Sequence, residues 1–220
     1  MNFKTRQLRY LVFAAIGIIL ASYIRVWLAG IFLIPLAIST ILSQRQSFSI
    51  KASIIALSGF AYVFAVLPFF AKAHVTDISS FFAAIDKMSK QWAHGGAGQQ
   101  VAGVSNAASF IINLPKGAFT ALFRPLPGEI NNPFGIMSGL ENLALLFFTI
   151  SYILKYNIRL LKNNFLLYNV LTIFVWTSIY AYISSQNLGT AVRFKLQVLP
   201  FMLLLPYFAQ HIYDKRKNKT

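Results

Sequence analysis

Apolar residues run along this chain in long, nearly unbroken stretches instead of alternating with polar ones. A membrane-crossing helix needs about 20 such residues, because each adds about 1.5 Å against a hydrocarbon core about 30 Å thick. Residues 52–71, 134–154, 164–184 and, with its polar outer end, 191–213 meet that length. A further apolar run from Tyr10 to Leu42 is interrupted by Arg25. It reads either as two tight crossings, 9–24 and 27–43, or as one helix followed by a re-entrant segment. The pattern predicts an all-α fold, a polytopic membrane helix bundle of about six transmembrane helices, within a single integral membrane domain over 1–220. Its parts are N-terminal helices over 1–71, a long segment over 72–133, and three C-terminal helices with a basic tail over 134–220.

Composition supports that class. The 220 residues are 57% hydrophobic and only 11% charged, with a mean hydropathy of +0.61, against roughly a quarter charged in soluble domains. A net charge of +15 would suggest nucleic acid for a soluble chain. Here the cations sit in short clusters at the ends of apolar runs, which is the signature of topology. Lys4, Arg6 and Arg9, then Arg45 and Lys51, then Lys155, Arg159 and Lys162, then Lys215, Arg216, Lys217 and Lys219 all fall on one side if six crossings start from a cytoplasmic N-terminus. The positive-inside rule selects that orientation, with both termini cytoplasmic. The N-terminal run has no convincing cleavage site and reads as an uncleaved anchor. There is no cysteine, and His74, His94 and His211 lack ligand spacing, so nothing asks for a metal or cofactor.

The segment 72–133 then falls outside the membrane. In "ISSFFAAIDKMSKQWAH", Ile78, Phe81, Phe82, Ile85, Met88 and Trp92 recur at helical spacing, predicting an amphipathic helix that lies in the outer interface. The "GGAGQQVAG" stretch reads as a flexible loop. In "ASFIINLPKGAFTALF", Pro115 and Gly117 break the apolar run into two pieces too short to span, a re-entrant-like element.

Candidate chemistry lies where charges meet this apolar background. Pro125 and Pro127 stiffen the turn after Arg124, so its guanidinium has a fixed direction. It either grips a phosphate or carboxylate, or it snorkels to lipid phosphates or pairs with Glu129 as a staple. Glu141 lies seven residues, about 10 Å, into the run 134–154. It is expected to face inward, either as a functional group or in an ion pair with Arg193 or Lys195. In "SSQNLGTAVRFKLQVLP" a polar turn leads to Arg193 and Lys195, which point about 200° apart on a helix, and Arg193 is the preferred anion ligand. Glu141 or Glu129 as base, with Arg124, Arg193, Lys195, Asn142 and Asn187 as substrate ligands, would form one outer pocket. No nucleophile motif, phosphate loop or paired acids for a nucleotide sugar are present.

The order "LFRPLPGEINN", then "LEN" at the start of a crossing, then "NLGTAVRFKLQVLP" resembles the C-terminal half of bacterial multi-pass membrane proteins of cell-surface polysaccharide biosynthesis, glycosyltransferase-like or polymerase-like. The resemblance covers roughly residues 90–205, and its distinctive parts are the Arg-Pro-x-Pro turn and the Asn-x-Gly-Thr-x-x-Arg-x-Lys stretch. Members of that group carry more crossings ahead of this region, which makes the chain either a short member or a truncated one. The resemblance implies a substrate class and brings no catalytic residues. That class is lipid-linked glycan, carried on a polyprenyl diphosphate, at the outer face of the bacterial cytoplasmic membrane. Expected partners are membrane lipid, that glycan and other glycan-assembly proteins. A non-catalytic scaffold subunit and a small transporter or flippase are the alternative readings.

Overall fold

The structure, a computed structural model, describes residues 13, 16–23, 25, 27–43, 47–61, 74–93, 98–99, 103–155 and 163–217. Much of the expected crossings 9–24 and 52–71, and the basic stretch Arg159–Lys162, lie outside the described residues. The chain divides into two compact units, Met1–His74 and Val75–Thr220.

In the first unit, helices α1 (Trp27–Leu42) and α2 (Phe48–Ala61) pack against each other. The sixteen residues of α1 reach about 24 Å, less than the hydrocarbon thickness. Its Pro35 is buried.

The second unit holds α3 (Ile78–Gln91), α4 (Ala107–Phe123), α5 (Pro133–Lys155), α6 (Asn164–Gln186), α7 (Leu188–Lys195) and α8 (Leu199–Lys217). Among the described residues, α5 and α6 are helices long and apolar enough to cross a membrane. The pair α7 and α8, bent by 54°, makes a third span if taken as one. The break has a sequence cause. Pro200 has no N–H to offer the Leu196 carbonyl, and the chain passes through turns at 196–198 before α8 begins.

Four helices start where a short polar side chain can take up free backbone N–H groups. Asp77 and Asn106 form capping boxes with Ser80 and Ser109, while Asn163 and Asn187 cap α6 and α7. Helix α6 is the hub, touching α3, α4, α7 and α8. Four of its polar residues bond back to their own helix. Asn169 donates to the Phe165 carbonyl, and Thr172, Ser178 and Ser185 donate to Tyr168, Phe174 and Ala181.

One expectation needs correction. The segment 108–123 is not two broken pieces but one continuous helix, with Pro115 inside it. The proline removes one backbone bond, and packing of α4 along α6 outweighs that loss. Helix α3 forms as expected, and part of its apolar face packs on protein while Ile78 and Trp92 are exposed. Phe82 is buried with Val104, Ala181 and Tyr182, and Phe110 stacks on Tyr182, whose hydroxyl donates to the Phe110 carbonyl.

The α4–α6 crossing depends on Gly117. A Cβ there would sit 2.9 Å from both the Cβ and the carbonyl oxygen of Ala181. An alanine in a helix ordinarily gains about 1 kcal/mol over glycine. Gly117→Ala is instead expected to lower stability by about 1–3 kcal/mol through overpacking. Gly59→Ala, where nothing lies within 4 Å, is expected to raise it. Thermal unfolding of both variants in nanodiscs checks the sign.

Candidate functional site

The turn after α4 is built by its own sequence. Leu126-Pro127-Gly128-Glu129 closes with a bond from the Glu129 N–H to the Leu126 carbonyl (3.1 Å). Pro127 at its second position and Gly128 at its third, with φ of +91°, are the residues a type II turn requires. The Arg124–Pro125 bond is cis. Helix α5 carries this turn on a glycine step, because a Cβ at Gly139 would lie 2.7 Å from the Pro127 nitrogen. About one turn along, Asn142 donates to the Pro125 carbonyl at 2.7 Å in a buried bond.

Within the turn Arg124 and Glu129 form a closed pair. Nε of Arg124 lies 2.8 and 3.0 Å from the two carboxylate oxygens, and Nη2 lies 2.6 Å from Oε1. The Leu126 N–H donates to Oε2 at 2.6 Å. Burial pushes the Glu129 pKa up, but the Arg124 hydrogen bonds, the Leu126 N–H and the arginine's charge outweigh it, and the net shift is downward. A carboxylate so held is a weak base. Of the two roles open to Arg124, the geometry is that of the staple.

The remaining hydrogen-bonding capacity of Arg124 ties the turn to α6 and α7. Nη1 donates to Gln99 Oε1 (3.3 Å), the Gln99 N–H donates to the Gln186 carbonyl (2.7 Å), and Gly98 bridges Asn187. Asn187 therefore serves as cap and bridge at the α6–α7 junction. Gln99 was not foreseen, since a glycine-rich loop gives no local sign of a partner 25 residues away.

The other candidates separate by helix face. The buried stripe of α5 is Gly135, Gly139, Asn142 and Leu145, at helical spacing. Glu141, expected to face inward, is about 100° off that stripe and exposed. On α7 the expected preference is reversed. Arg193 is exposed, whereas Lys195 is 1% exposed, and its ammonium has no hydrogen-bond partner among the described residues. Lys195 forms no ion pair with Glu141 among the described residues. The Asn142 carbonyl oxygen is likewise buried and without a partner. Among the described residues no cluster of metal-ligating side chains occurs.

The second unit thus holds a stapled Arg124–Glu129 turn, the Asn142 carboxamide beneath it, the buried cation Lys195 and the exposed acid Glu141. Such an arrangement can bind an anion at Lys195 and pass a proton at Glu141. No family model, no curated protein and no solved structure matches this chain.

Glu129 contributes stability that is present above its unfolded pKa of about 4.3 and lost as pH falls through its lower folded value. At neutral pH, Glu129→Gln is expected to cost about 1–3 kcal/mol, the range for hydrogen bonds to charged groups. The gap between variant and wild type should close as pH drops below about 4. Thermal unfolding against pH checks this, and a gap independent of pH would contradict it.

Proposed function

We propose that this protein assembles cell-surface polysaccharide, binding or transferring lipid-linked glycan at the outer face of a bacterial cytoplasmic membrane, with Lys195 as the ligand of the lipid's phosphates. The observation that carries this reading is the Lys195 ammonium, buried and without a hydrogen-bond partner among the described residues. An ammonium held out of water costs several kcal/mol unless an anion answers it, and such a group inside a membrane protein marks a functional site. The resemblance to polysaccharide-assembly proteins in the "RPLPGE" and "NLGTAVRFK" stretches supplies the substrate class. The charge pattern supplies the side of the membrane.

In the transfer reaction an acceptor hydroxyl attacks the anomeric carbon of the glycan and the bond to the polyprenyl diphosphate breaks. Lys195 stabilises the diphosphate as it leaves. The proton of the acceptor goes to Glu141, the carboxylate left free once Glu129 is committed to Arg124. Arg124 and Asn187 then act by fixing the ends of α4, α6 and α7, and Asn142 by holding the turn. Arg193 meets lipid headgroups.

A scaffold role within a glycan-assembly complex is favoured by one feature, the closed Arg124–Glu129 pair, because that cation is unavailable to a ligand. Lys195→Met separates the readings. Replacing an unpaired buried charge by an apolar side chain of similar length leaves the fold as stable or more stable, so protein level and melting temperature should hold or rise. Surface glycan should fall at least tenfold, with lipid-linked units collecting on the outer side, and Glu141→Gln should lower it with the same side of accumulation. Normal glycan in Lys195→Met would favour the scaffold, and accumulation on the inner side would favour a transporter.

A further inference from the structure

Helices α3 and α4, which touch through the Phe82 and Phe110 rings, turn unlike faces outward. On α3, Ser79, Ala83, Lys87 and Lys90 are exposed and, at about 100° per residue, fall within about 80° of one another. That face is polar and cationic. On α4 the exposed residues Ala108, Ile111, Ile112, Pro115 and Phe119 fall within about 100°, a complete apolar stripe. Ile111 and Ile112 are 67% and 75% exposed, and the buried residues Gly117, Thr120 and Ala121 lie on the opposite side of the helix.

Both helices meet α6 at the same level. Phe82 of α3 is buried with Ala181 and Tyr182, while Phe110 of α4 stacks on Tyr182 and Gly117 closely approaches Ala181. Lysines turned outward call for water, whereas a continuous face of isoleucine, proline and phenylalanine is driven out of it. Since α6 is long and apolar enough to cross a membrane, the two exposures together mark the level at which it leaves the hydrocarbon. Lipid suits the α4 face better than a second protein chain does. Lys116, also exposed, stands about 40° from the edge of the stripe, and lysine is depleted at the cores of protein interfaces. Beside lipid, its stem lies along apolar surface and its ammonium reaches a phosphate. Pro115 withholds a backbone bond from the Ile111 carbonyl, which water satisfies at a membrane boundary and hydrocarbon does not.

We propose that the outward face of α4 is a membrane-contact surface, seated among the outermost acyl segments of the bilayer with Lys116 at the lipid phosphates, while the outward face of α3 meets water. The seventeen residues of α4 reach about 25 Å, short of the hydrocarbon thickness of about 30 Å, so the helix lies in the boundary without crossing. Lipid on one side and α6 on the other then hold the helix whose C-cap is Arg124. This surface does not depend on what Lys195 binds.

The chain has no cysteine, so a nitroxide can be placed at one position at a time. The test uses the full chain in nanodiscs with Ile111→Cys, Ile112→Cys and, as the reference, Lys87→Cys, all at exposed positions where a label leaves the packing intact. Power-saturation EPR compares collisions with oxygen, which concentrates in hydrocarbon, and with a nickel chelate, which stays in water. At Ile111 and Ile112 oxygen collisions should exceed nickel collisions severalfold, and at Lys87 the order should reverse. Nickel access at Ile112 equal to that at Lys87 would place α4 in water and overturn the proposal. Low access to both reagents at Ile111 and Ile112 would mean that protein covers the stripe, and would overturn it as well.

Discussion

The pairing of Arg124 with Glu129 fixes the end of the helical unit on which every candidate residue depends. Its bidentate geometry locks a short proline- and glycine-shaped turn, and that turn rests on the Gly139 step of α5. Asn142 holds it from below, while Gln99 connects it to the junction of α6 and α7. The same pairing decides the electrostatics. A guanidinium already answered by a carboxylate offers little to a ligand, and the buried cation without a hydrogen-bond partner among the described residues is Lys195.

Helix α6 shows how an apolar bundle tolerates the polar residues needed at such an end. Asn169, Thr172, Ser178 and Ser185 donate to carbonyls of the preceding turn, so those donors cost little in hydrocarbon, whereas the Thr177 and Ser184 hydroxyls are buried without a partner among the described residues. Trp176 follows another route, donating its ring N–H to Gln197 across the bend between α7 and α8 and stacking on Tyr180. With Tyr180 also packed on Phe194, the aromatic column fixes α7 against α6. The side chain beside Phe194, Lys195, is thereby turned inward.

Local pattern was enough to read α5, α6 and the amphipathic α3 from the sequence, because long apolar runs and spacing at 3.6 residues are properties of the segment itself. The continuity of α4 was not legible. Pro115 and Gly117 break a helix by intrinsic preference, and only the close approach of Gly117 to Ala181 shows why the glycine is there. The site divides in the same way. The Arg124–Glu129 turn could be read as one of two stated options, since its parts are neighbours in the chain. That Arg193 and Lys195 point apart was also legible, but which one faces inward depends on helices far away in sequence. Glu141 illustrates the limit: depth along a helix says how costly a charge is, and only the partner helices say which way it faces.

The central claim is that the Lys195 ammonium receives a phosphate brought by a membrane lipid. Its most direct measurement is the side-chain nitrogen resonance of Lys195 in nanodiscs, assigned by comparison with Lys195→Met, as polyprenyl phosphate is added. A saturable shift is expected with the phosphate and none with the uncharged polyprenol. An equal response to the alcohol, or no response to either, would contradict it.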